Sequence, residues 1–237
     1  MMQLMSLHTL DRTFPDRLPE TPLSPLFTLE ALRRVAWAVF FLDSSLDGGR
    51  YGSSLIDIET FRIQLPCNEQ SFLGNDNPRT ESIFAAPTEQ TGISAYLIRA
   101  TFLRRRALNA VLRISHHDMQ SPEIQADLAV IEAAVTELVD SMPVRYHFTS
   151  DNALLHRKRL PAFALLHVML HKLYILVTTM KLVLYKMDSV FADLIPGVRH
   201  QRISHAMAVS RIITECLKHS STFDTSVYGI AYYAIEI

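Results

Sequence analysis

The sequence predicts an all-α fold, an irregular multi-helix bundle with one long loop in a single domain. Three observations predict it. Glycine is scarce, with 7 in 237 residues, against the roughly 7% of average composition, so a turn-rich β fold lacks its turn residues. Hydrophobic residues make up 49%, enough to fill one large core in a chain of this length. Most of that apolar content recurs at three- and four-residue spacing, the period of a helix that buries one face.

Residues 1–27 carry Pro15, Pro19, Pro22 and Pro25, a spacing that disfavours a helix and predicts an extended lead-in. A helix is expected from Thr28, whose hydroxyl can cap it, with Glu30 suited to the positive end of its dipole. Leu29, Leu32, Val35, Ala36, Val39, Phe40 and Leu42 form its expected apolar face, widened by Trp37 and Phe41. Gly48-Gly49 should end it, with Arg50 returning onto Asp43. A long loop over about 48–91 follows, polar from Asn68 to Thr91, with a short extended piece within Ser54–Leu65.

Helical period resumes after Gly92 through Ile93, Tyr96, Leu97, Ala100, Leu103, Ala107, Leu108, Val111 and Ile114. Arg99, Arg104, Arg105 and Arg106 share this segment and read as a solvated surface pairing with other helices. Ser121-Pro122-Glu123 is a clean helix start, and Ile124, Leu128, Ile131, Val135, Leu138 and Met142 step along one face until Pro143. From Ala153 to Met187 the chain is apolar on nearly all sides after Pro161, which places that helix at the centre. Pro196-Gly197 is expected to break the chain before an amphipathic helix over Gln201–Lys218, and Tyr228–Ile237 to begin a last one.

Charge and motif content narrow the function. Basic and acidic residues number 23 and 24, net −1, so the strong basic footprint of a nucleic-acid grip is missing. Cys67 and Cys216 stand alone and far apart, which suits a reducing compartment and supplies no metal cluster. The stretch Leu160–Tyr185 is interrupted by His167, His171, Lys172 and Lys181, so it reads as a helix buried in protein rather than a membrane span. Neither a phosphate-cradling glycine loop nor a nucleophile elbow occurs. Two metal-site patterns stand as an alternative. Asp43 and Asp47 share a helical face, as in isoprenoid-diphosphate enzymes, and His116-His117-Asp118 with His167 and His171 echo a helical phosphohydrolase. The aspartate pair has no second acidic motif, and Val168 stands where a zinc-protease helix needs glutamate. The expectation is therefore a chain without catalytic, cofactor or metal residues, hence not an enzyme.

Arg33, Arg34 and Trp37, then Leu42-Asp43, Gly49-Arg50 and Leu65-Pro66-Cys67, keep an order and spacing that carries a resemblance. Together they resemble the signature of the fungal-specific transcription factor domain, the middle regulatory region of fungal zinc-cluster (Zn2Cys6) factors. Departures from the pattern are Ala36-Trp37 for a tryptophan pair, Tyr51 for the proline after Gly49-Arg50, and Asn68-Glu69 near the Leu-Pro. Weaker likeness continues through Leu138–Phe148, through Leu166-His167 with Leu173-Tyr174, and through Gln201–Lys218, covering residues 28–237. The resemblance implies a nuclear regulatory domain that controls RNA polymerase II transcription by binding a small-molecule effector or a regulatory protein. It implies DNA contact only through a zinc-holding six-cysteine module upstream or through a partner, no membrane, and scope for a homodimer. Arg33, Arg34, Trp37, Asp43, Gly49, Arg50, Leu65 and Pro66 would be its structural signature. Helices usually precede this motif in the family, so the chain reads as cut at both ends, and a fragment without activity of its own is the remaining alternative.

Overall fold

The computed structural model describes residues 25–46, 55–74, 80–115 and 121–219. Among these residues the fold is all-α, with helices α1 (Pro25–Leu46), α2 (Glu69–Leu73), α3 (Ile93–Ser115), α4 (Ser121–Asp140), α5 (Ser150–Leu155), α6 (Leu160–Met187) and α7 (Ile195–Leu217). Short 3-10 turns lie at Ile58–Thr60, Val144–Tyr146, Arg157–Arg159 and Ser189–Leu194. The contacts divide the chain into two compact units. One holds residues 25–46, 55–74 and 80–99, the other residues 100–115 and 121–219.

In the first unit α1 starts at Pro25, three residues before the expected cap at Thr28, so the proline lead-in ends earlier than its spacing suggests. Proline has no amide hydrogen to lose at a first helical position, and its fixed φ suits the helix. The buried stripe of α1 also differs from the expected face. It runs Glu30, Arg33, Ala36-Trp37, Phe40, Ser44, while Val35 and Leu42 are 49% and 53% exposed. Helical spacing is kept, but half of the stripe is polar. The expected stop at Gly48-Gly49 lies outside the described residues, as does Arg50.

The long loop proves to be organised in its described part. Over residues 61–65 Phe61, Ile63 and Leu65 are buried while Arg62 and Gln64 lie further out, the two-residue period of a strand, and Pro66 and Cys67 are buried after them. Leu65 N donates to Glu81 O at 2.9 Å, the Thr80 hydroxyl donates to Leu65 O, and Cys67 forms an isolated antiparallel bridge with Thr91. Asn68 caps α2 by accepting from Ser71 N at 2.9 Å. Gly92, just before α3, lies so close to this turn that a Cβ there would stand 2.9 Å from Asn68 Cα. No side chain fits between those two backbones.

In the second unit α6 is the centre, as its all-round apolarity predicts. By length and composition it could cross a membrane. Of its 28 residues, however, 18 are buried, and it packs against α7, α4 and α5. All six residues of the expected α4 face, Ile124 to Met142, are buried. The segment Met142–His147 is clamped by side chains: Asn152 Nδ2 donates to Val144 O and His147 O, and His156 Nε2 donates to Arg145 O, at 2.8–2.9 Å. Pro196-Gly197 does not break the chain. It forms the first turn of α7, again with proline at the helix start. Residues 220–237, including Tyr228–Ile237, lie outside the described residues.

Candidate functional site

Two buried polar groupings stand out, one in each unit. In the first, Glu30 is 3% exposed and joins α1 to the extended segment. Its Oε2 accepts from Arg33 Nη1 at 2.7 Å, and its Oε1 accepts from Arg34 Nε at 2.9 Å and Cys67 N at 3.0 Å. Arg34 reaches onward, donating to Glu69 Oε1 at 2.7 Å and Cys67 O at 2.9 Å, and lies 4.3 Å over the Phe72 ring. Trp37 Nε1 donates to Gln64 O at 2.7 Å, and Arg33 Nη2 donates to Gln64 Oε1 at 3.3 Å. Arg33, 2% exposed, thus has the buried Glu30 carboxylate beside it, shared with the part-exposed Arg34, which also pairs with Glu69.

Electrostatics follow from that geometry. Burial works against the Arg34 charge, but Glu69 and Glu30 outweigh it and hold its pKa above the ordinary arginine value. Burial, with Glu30 beside it, pushes the Cys67 thiol up to about 11, which leaves it protonated and a poor nucleophile. A further ionic cluster ties the loop to α3. Arg99 is buried, donates to Ile83 O at 2.9 Å and Ser82 O at 3.1 Å, and lies 3.5 Å from Glu81, whose carboxylate also accepts from Thr91 and Thr88. The reading of Arg99 as part of a solvated surface is corrected. Its position pairs with a loop rather than a helix, and the loop buries it.

In the second unit the histidines have separate partners. His167 Nε2 donates to Tyr146 O at 2.8 Å, His147 Nε2 donates to Met142 O at 3.0 Å, and His171 Nδ1 lies 3.0 Å from His205 Nδ1. Burial lowers His167 to about 4, and burial with His205 and Arg211 lowers His171 to about 4. Lys172, buried near Arg104, is brought down to about 7 by burial and that neighbouring charge. Burial likewise raises the Cys216 thiol to about 11.

The structure brings Arg33, Arg34, Trp37, Leu65 and Pro66 into one place, with Leu65 and Pro66 buried on the segment that the three α1 side chains grip. Asp43 uses its carboxylate on the backbone, accepting from Leu55 N at 3.1 Å and Ile56 N at 3.2 Å. Its proposed partner Arg50, the signature residue Gly49, and Asp47, His116, His117 and Asp118 lie outside the described residues. Among the described residues no three His, Cys, Asp or Glu side chains gather as a metal group. Sequence reasoning missed Glu30 as a hub, along with Gln64, Glu69 and Glu81. Its available signal was position: Glu30 stands three and four residues before two arginines, where one carboxylate can hold both. Comparison with protein-family models, curated proteins and solved structures finds no match in any of the three.

Proposed function

We propose that the chain is the regulatory domain of a zinc-cluster-type transcription factor, acting in the nucleus on RNA polymerase II transcription. The observation that carries the reading is the convergence of the motif residues: Arg33, Arg34 and Trp37 all reach Gln64–Cys67, the segment containing the motif's Leu65-Pro66. Residues 27 to 37 apart in sequence form one hydrogen-bonded body around Glu30. A motif built this way is a structural keystone, and it holds a scaffold on which helices can repack. The regulatory step is then a shift in helix packing driven by a small-molecule effector or a regulatory protein that binds one arrangement better. DNA contact and zinc belong to a six-cysteine module upstream or to a partner chain, and the domain itself carries out no catalysis.

Reading the native transcript upstream of Met1 tests this. Six closely spaced cysteines followed by a basic linker are expected. A transcript that opens at Met1, together with a protein that stays out of the nucleus and away from chromatin, would overturn it.

A further inference from the structure

α7 lies along α6 in the second unit, and the two make the most extensive helix–helix packing there. Of its 23 residues only Val198, Val209, Ile212 and Cys216 are buried, and its main packing partners are α6 and the 3-10 turn before it. His205 falls in the same stripe, four residues before Val209 and seven after Val198, so it faces α6 from mid-helix. There it meets His171. The two Nδ1 atoms are 3.0 Å apart while the ring centroids are 5.3 Å apart. The nitrogens therefore lie on the line between the rings and point at one another. A shared metal would need both lone pairs aimed at a third point, so this is a hydrogen-bonded pair and not a chelate. Tyr174 stacks flat on His205, at 4.6 Å and 6° between planes, and fixes its orientation.

We propose that His171 and His205 form a proton-sensitive latch that fastens α7 to α6 while neutral and releases it when both imidazoles take up protons. One hydrogen fits between the two nitrogens, donated by one ring to the lone pair of the other. Two imidazolium rings in that place have no acceptor and repel. Burial and a neighbouring cation disfavour the charged form of His171. Arg211 on α7 faces His171, and His167 is one turn away on α6. From α4, the Asp140 carboxylate acts on Tyr174, the ring stacked on His205. At the far end of α7, Glu215 is engaged with Lys218 and with Ser150 of α5. In water, after α7 opens, both rings protonate with an ordinary pKa near 6.5. Below that pH each proton taken up on opening raises the opening constant about tenfold per pH unit. The latch is a property of this unit and stands whether or not the transcriptional reading does.

Amide hydrogen exchange of the whole chain between pH 7.5 and 5, corrected for intrinsic exchange rates, tests it. The expected result is an α7 opening constant that rises tenfold to a hundredfold per pH unit below 6.5, while α4 changes by severalfold less. In a His171→Phe/His205→Phe variant the α7 response should flatten. An α7 whose opening is independent of pH, or tracks α4 in the unaltered protein, would overturn the latch even if the variant fails to fold. A second reading needs no variant. Nitrogen-15 spectra at pH 7.5 should show one of the two rings in the Nδ1–H form, and both rings in the Nε2–H form would overturn it.

Discussion

Replacing Glu30 by glutamine keeps the length of the side chain but removes the charge that Arg33 and Arg34 share. Arg33 then loses the buried carboxylate that it pairs with at 2.7 Å, and breaking a buried ion pair from one side costs about 3–5 kcal/mol. Urea denaturation of Glu30→Gln should show a loss of that order, against a loss below about 1 kcal/mol for Glu132→Gln in the part-exposed Lys181–Glu132 pair. Equal losses would show that Glu30 is no hub. Arg33, Arg34 and Trp37 were legible in the sequence through the motif. Glu30 was legible only as an acid near a helix start, because its main consequence depends on Cys67, 37 residues away. A charge at a periodic buried position looks like surface until its long-range partners are known. Asp43 shows the same limit, since the backbone amides it serves belong to a loop with no regular pattern.

At the level of elements, periodicity located α3, α4 and α6 well, because their buried faces are apolar and the period reports burial directly. The starts of α1 and α7 were misplaced for one shared reason. Pro25 and Pro196 were read as interruptions, and both lie in the first turn of a helix. Proline carries both meanings, and local sequence alone does not separate them. The loop was legible in extent but not in order, since Thr80, Glu81 and Arg99 organise it through side chains. α6 carries a pH prediction. His167 and His171 are held neutral, near 4 rather than 6.5, so the unfolded chain binds more protons between those values. The stability these two histidines contribute is then full above about pH 6.5, falls as pH drops towards 4 and flattens below. The loss is on the order of 3 kcal/mol for each group. Urea midpoints from pH 7.5 to 4 should trace that window. His167→Gln, which keeps a donor for Tyr146 O, should remove the share of the fall that His167 carries and leave that of His171 and His205. An unchanged slope would show that His167 is not the titrating group.

Over the whole molecule, two compact units invite a division of labour. The Glu30 network makes the first a rigid scaffold of crossed hydrogen bonds. The second unit holds a central helix, α6, joined to α7 by a hydrogen-bonded histidine pair, which suits a part that changes its packing. Regulatory domains need both properties, a fixed frame and an element with two arrangements. On the function proposed above, this chain restrains or licenses transcription through its own fold, with the motif residues as keystones. The most direct test places the chain between a foreign zinc-cluster DNA-binding module, with its dimerisation linker, and an activation segment on a reporter gene. The account predicts that inserting the chain changes reporter output severalfold at equal protein level and equal promoter occupancy, and that Glu30→Gln cancels the change. Output that stays the same with the folded chain present, absent or altered at Glu30 would contradict it.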